Sequence, residues 1–193
     1  MNGYTRNCVY KKLNEEQLAG LCRKGDSLAA DELYRRYAAR LLTLCRRYCG
    51  GRDEARDLMQ DTLVKALEKI HSFRYKAEGS LYAWLSRIAI NIALGNIKKR
   101  RREAVADDLP IPENVPEPDT EKMSAIPQEV LLKLIAGLPA ARKAVFNLYC
   151  IDGYSHREIG KMLGISEKAS ASTLAKARAQ LKQAINNYLK ESE

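Results

Sequence analysis

Apolar positions recur at helical spacing along almost the whole chain, and the residues that interrupt them are the ones that start and stop helices. Asn14 and Gln17 have the spacing of a capping box and predict a short helix that stops at Gly25. Asp26 or Ser27 predicts the start of the next, which runs to the Gly50-Gly51 break. The clearest stripe follows: Ala55, Leu58, Met59, Thr62, Leu63, Ala66, Leu67 and Ile70 mark one face of a helix starting near Asp53. A loop from His71 to Gly79 separates it from a second stripe, capped by Ser80 and carried by Leu81, Trp84, Leu85, Ile88, Ala89, Ile92, Ala93 and Ile97. That helix ends in the basic string 98–102. Three or four amphipathic helices on one core is the economical reading.

Beyond residue 102 the pattern breaks and then resumes. The segment from Glu103 to Pro127 holds five of the six prolines, which remove backbone donors and push their neighbours toward extended geometry. It predicts a semi-extended linker without a regular helix. Helical spacing returns with Gln128 to Ala136, ended by Gly137; Pro139 is placed just inside the next helix, which ends before Gly153. Ser155 and Glu158 form a second capping box for a helix from Ser155 to Leu163. Gly164 supplies a turn, and Ser166 caps a long final helix from Glu167 to about Leu189 with Leu174, Ala177, Leu181 and Ile185 inward. A short helix, a glycine turn and a second helix form the helix-turn-helix pattern, with small Gly160 permitting close approach. The fold class is therefore all-α: two helical domains, 1–102 and 127–193, joined by an acidic proline-rich linker, 103–126.

Charge sharpens the division. Of 193 residues, 46% are apolar and 30% charged, and the net charge is +9. Residues 1–102 hold 22 basic and 11 acidic side chains, residues 103–126 hold 1 and 7, and residues 127–193 hold 10 and 6. Two basic modules suit a polyanion, and the acidic segment between them is repelled by one. No apolar run reaches the length of a bilayer span and the N-terminal residues have no apolar signal core, so export and membrane insertion are not expected. Five cysteines without repeated spacing read as reduced thiols of a cytoplasmic protein. Catalytic chemistry has little to stand on. Gly160-Lys161 lacks the glycine spacing and the hydroxyl of a phosphate loop; Cys45 and Cys49 lack a second ligand pair; His71 and His156 have no nucleophile or acid beside them. Neither an enzyme nor a cofactor is expected.

Three groups of residues carry a resemblance to a known family. They are Asp31-Glu32-Leu33-Tyr34-Arg35-Arg36-Tyr37; Asp57-Leu58-Met59-Gln60-Asp61-Thr62; and Gly79 to Ala89 with Asn91. Together they resemble the first domain of the extracytoplasmic-function sigma factors. The stretches Val145 to Tyr149, Gly153 to Ile159 and Leu163 to Ser166 resemble the second. The resemblance implies a bacterial initiation subunit that binds core RNA polymerase, reads minus-ten and minus-thirty-five promoter elements and helps open the duplex. Its partners are then core polymerase and promoter DNA, with an anti-sigma factor as a further candidate. The alternative is a two-module helix-turn-helix transcriptional regulator whose first domain binds a ligand or dimerises.

The resemblance assigns docking on core polymerase to Asp57, Gln60 and Asp61, an acidic and amide patch of the wrong sign for DNA in so basic a domain. Capping and helix-dipole roles are the structural alternative. Strand capture falls to Phe73, Arg74, Tyr75 and Lys76 in the loop and to Trp84, Arg87, Asn91, Lys98, Lys99 and Arg100 beyond it. Interleaved aromatics and cations suit a separated strand, although Phe73 and Trp84 are equally core candidates. In the final helix the candidates for the major groove are Lys168, Ser170, Ser172, Thr173, Lys176 and Arg178, most of them for phosphates. Here the chain departs from the family: Lys168-Ala169 replaces a small Gly-Thr pair, and Ala171 stands where a cation is usual.

Overall fold

The computed structural model describes residues 9–103 and 115–191, apart from the side chains of residues 100–103 and 120. Among these residues the regular structure is helical, with no strand. The chain divides into two compact units, residues 1–46 with 51–93, and residues 47–50 with 94–193.

In the first unit are α1 (Glu15–Arg23), most of α2 (Ser27–Tyr48), α3 (Arg52–Lys69) and the start of α4 (Ser80–Glu103), with a 3-10 turn, Ile70–Ser72, after α3. The expected capping box is present: Asn14 Oδ1 accepts from the Gln17 N–H at 2.8 Å, and the Gln17 side chain accepts from the Asn14 N–H at 3.1 Å. Of the two candidate caps for α2, Asp26 takes the role, its Oδ1 accepting from the N–H groups of Leu28 and Ala29. Leu18, Leu33, Leu41, Leu81 and Leu85 are fully buried and form the centre of the core. The stripe on α3 is buried as expected, with one correction. Leu67 is 37% exposed. On α4 Leu81, Leu85, Ala89 and Ala93 are buried, while Trp84, Ile88 and Ile92 are half-buried at the edge of the face. Much of the charge in the Asp31–Tyr37 motif is structural: buried Glu32 accepts from Arg35 and Arg36 at 2.7 Å each, and Arg36 also donates to the carbonyls of Tyr10 and Leu13.

The second unit contains α5 (Thr120–Ser124), α6 (Gln128–Ala136), α7 (Ala140–Phe146), a π turn (Asn147–Ile151), α8 (His156–Leu163) and α9 (Glu167–Glu191). Helix α9 packs on α6, α7 and α8, with Leu138, Ala177 and Leu181 as a core lined by Leu134, Ile135 and Phe146. Three expectations change here. Pro139 is the N-cap of α7 and not its first residue. The π turn follows α7 directly, where simple helical spacing was expected to continue. The segment read as a linker without helix contains α5, because its eight residues 119–126 are free of proline and Asp119 caps the turn by accepting from Glu121 N–H at 2.9 Å.

Candidate polymerase and nucleic-acid faces

Helix α3 presents two faces of opposite character. Ala55, Leu58, Met59, Thr62, Leu63 and Ala66 are buried, and the Thr62 hydroxyl, which could not stay unpaired there, donates to the Leu58 carbonyl at 2.7 Å. On the other side Asp57, Gln60 and Asp61 are all exposed. Beside them are Val64, 59% exposed, and Leu67. The two apolar residues are a part of this face that charge reasoning missed. Val64 lies three residues after Asp61 and out of phase with the buried stripe, a detectable signal; Leu67 was assigned to the core because it falls at the edge of that stripe.

The loop 71–79 leaves α3 through the 3-10 turn and enters α4 through Gly79, whose φ of 89° suits glycine. Phe73 corrects an expectation: it is 1% exposed, its ring centroid 5.5 Å from that of Trp84 with the two planes tilted by 54°, so it is a core residue that no base can reach. Trp84 is half-buried. Arg74 and Lys76 are exposed and Tyr75 is half-buried. The Arg74 guanidinium donates to the carbonyls of His71 and Phe73, which holds its stem to the loop. On α4 Arg87 and Asn91 are exposed one turn apart. Farther along the same helix Lys98 is half-buried and Lys99 exposed; the Arg100 side chain lies outside the described residues. Two further residues join aromatic and cationic character, since Arg40 sits 3.9 Å over the ring of Tyr82, itself stacked on Tyr37.

The helix-turn-helix is built from local signals. Ser155 and Glu158 cap α8 reciprocally, and bonds from the Ser155 N–H and hydroxyl hold the Glu158 carboxyl below its ordinary value. Gly164 ends α8 in the left-handed conformation, φ 70°. A Cβ on Gly160 would stand 2.8 Å from the carbonyl oxygen of Ile165, so the close approach expected of this glycine is to the turn backbone itself. On α9 Ser170, Leu174, Ala177 and Leu181 face inward. Ser170 therefore corrects an expectation: it is fully buried, its hydroxyl 3.0 Å from His156 Nδ1, and it ties the two helices together instead of facing DNA. Lys168, Ala171, Ser172 and Arg178 are exposed, and Thr173 and Lys176 half-buried. Thr173 Oγ1 donates to the Ala169 carbonyl, and the Arg178 guanidinium lies 5.9 Å from the Tyr149 ring, which stacks on His156.

At the end of the linker, Asn186 on α9 donates to the Pro116 carbonyl and Lys182 pairs with Glu117. The acidic positions Asp107, Asp108 and Glu113 lie outside the described residues. Cys22, Cys45 and Cys49 are buried and Cys150 is exposed, and among the described residues no cluster could hold a metal ion and no helix is long and apolar enough to cross a membrane.

Comparison with known proteins places both halves. Residues 33–103 match the family described as Sigma-70 region 2, and residues 128–181 match Sigma-70, region 4. The chain is 30% identical over 175 residues to the ECF RNA polymerase sigma factor SigM of Mycobacterium tuberculosis, covering 89% of this chain and 84% of that one. It is 25% identical over 186 residues to the ECF RNA polymerase sigma-E factor of Haemophilus influenzae, covering 91% and 97%. Among solved structures, the sigma factor RpoE of Bartonella quintana, in complex with the anti-sigma factor NepR, is 23% identical with a TM-score of 0.49, over 81% of this chain and 96% of that chain.

Proposed function

The chain belongs to the sigma-70 family, among its extracytoplasmic-function RNA polymerase sigma factors, and from that premise we propose which of its residues do which part of the work. As such it is a non-enzymatic subunit that binds core polymerase, recognises promoter DNA and directs initiation. The alternative of a helix-turn-helix regulator with a ligand-binding first domain falls, because the first half matches a sigma region as the second does.

In our reading residues 1–102 bind core polymerase and the minus-ten element, residues 127–193 bind the minus-thirty-five element, and 103–126 connect them. Core docking belongs to Asp57, Gln60 and Asp61 with Val64 and Leu67. The observation that carries this is the exposure of carboxylates and apolar side chains together on α3, in a domain otherwise dominated by cations. Such a face suits a basic protein surface that buries the valine and leucine and pairs the acids. Strand capture belongs to Arg74, Tyr75 and Lys76, to half-buried Trp84, and to Arg87 and Asn91, with Lys98, Lys99 and Arg100 extending the positive charge along the helix. In the upstream element, Lys168, Ser172, Thr173, Lys176 and Arg178 meet the groove and its phosphates. The polymerase and chromosome it serves make the bacterial cytoplasm its place of work.

The experiment that tests the assignment of faces is charge reversal on α3. Asp57→Lys with Asp61→Lys leaves the buried stripe untouched, so helical content stays as in the wild type while affinity for core polymerase is lost. Undiminished core binding by that double variant contradicts the assignment.

A further inference from the structure

The loop that carries Arg74, Tyr75 and Lys76 is tied at both ends to the same short helix. At its entry, Arg23, the last residue of α1, donates from Nη2 to the Phe73 carbonyl at 2.8 Å and from Nε to the Ile70 carbonyl at 3.3 Å. At its exit, Glu15, the first residue of α1, accepts the backbone N–H of Leu81 at 2.9 Å, with the Ser80 hydroxyl at 3.5 Å. The Leu81 N–H is one of the orphan donors in the first turn of α4, so Glu15 acts as its cap from 66 residues away. Glu15 is 2% exposed. A buried carboxylate needs all the donors it can find, and the Tyr37 hydroxyl supplies another at 2.9 Å. The Ser80 hydroxyl in turn accepts the Lys76 N–H at 3.4 Å, linking the anchor to the loop itself.

We propose that α1 is a brace that holds the strand-capture loop in its binding conformation, with Glu15 and Arg23 as positioning residues at its two ends. The Sigma-70 region 2 match begins at residue 33, beyond α1. The two anchors are eight residues apart, about 12 Å along a helix axis, and between them α1 is fixed to the core by Leu18, Ala19 and Cys22. That makes a rigid ruler between loop entry and loop exit. A loop fixed in advance does not have to be ordered when it meets a separated strand, so binding retains the free energy that ordering would cost. Arg23 itself is exposed, and its guanidinium works on the carbonyls of Ile70 and Phe73.

The proposal rests on the reading that this loop captures single-stranded DNA, and the test separates the two. Because Glu15 is buried among its donors, the test is carried by Arg23. The full chain is assembled with core polymerase and titrated with a single-stranded oligonucleotide carrying the minus-ten element of a promoter that the holoenzyme transcribes. Three variants are compared with wild type: Arg23→Ala, Lys76→Ala and the pair. Arg23→Ala is expected to melt close to wild type, to keep its affinity for core polymerase, and to bind the oligonucleotide about tenfold more weakly, the factor that 1.4 kcal/mol represents. The pair is expected to lose less than the product of the two single losses, because the brace acts through the loop contact that Lys76→Ala has already removed. A structural weakening elsewhere would multiply instead. If Lys76→Ala weakens capture and Arg23→Ala does not, or if the two losses multiply, the brace is overturned and the loop assignment stands. If neither variant weakens capture, the brace and the strand-capture reading fall together.

Discussion

Several single residues in this chain act through contacts only a few positions away, and two of them give direct tests. Glu158 is held below the ordinary carboxyl value of 4.5 chiefly by the Ser155 N–H, and Asp26 below 3.8 chiefly by the Ala29 N–H. A depressed carboxyl stabilises the fold fully above its unfolded value and loses that contribution as pH falls through the lower folded one. The melting temperature of the wild type therefore falls between about pH 5 and 3, and Glu158→Gln, which removes one of the titrating groups, falls less steeply over that window. Equal slopes contradict the role given to the cap. Gly160→Ala is the second test: its methyl group meets a backbone oxygen that cannot rotate away, so the turn must open, at a cost of about 1–3 kcal/mol. A lower melting temperature and weaker binding to the upstream element are expected; wild-type melting contradicts the close approach. The caps Asn14, Ser155 and Ser166 were legible because a helix start is encoded within four residues. Phe73 was legible only as a choice between core and DNA, and Ser170 was not legible as a buried residue. An aromatic in a loop and a serine among polar neighbours owe their burial to Trp84 and His156, each more than ten positions distant in sequence.

At the level of the element, a stripe at helical spacing fixes which face is inside, and thereby which is outside. The inward residues of α9 anticipated from the pattern include Leu174, Ala177 and Leu181, and their burial leaves Lys168, Ala171, Ser172 and Arg178 exposed. This exposure carries a prediction about Ala171, where the family usually offers a cation. Ala171→Lys adds one phosphate contact, so it tightens binding to upstream-element DNA, steepens the salt dependence by about one unit, and leaves the preferred sequence as it was. Titration of the holoenzyme against such DNA at several salt concentrations reads all three. Unchanged affinity and slope would show that this position does not meet the backbone. What the pattern could not supply were features outside simple periodicity. The π turn at Asn147–Ile151 shifts the backbone register without any composition signal, and α5 occupies a proline-free interval too short to display a stripe. Leu67 was placed in the core because an edge position is in phase with both faces.

For the molecule as a whole, composition and charge were the most readable properties, because they add over many residues and survive local errors. An acidic, proline-rich interval lies between two basic blocks, and the two family matches, 33–103 and 128–181, fall on either side of most of it. Part of what supports the proposed division of labour inside the first module needed the folded structure. Only there does Leu67 prove exposed beside the acids of α3, and only there does α1 meet both ends of the loop 71–79. These faces matter only if the chain turns core polymerase into an enzyme that starts at promoters. The measurement that tests this most directly is transcription from duplex genomic fragments by purified core polymerase, with and without the chain, with the 5′ ends of the transcripts mapped. Initiation is predicted at a defined set of sites that share spaced minus-ten and minus-thirty-five elements, only when the chain is present, and not when Asp57→Lys and Asp61→Lys are combined. Identical start sites with and without the chain would contradict the account.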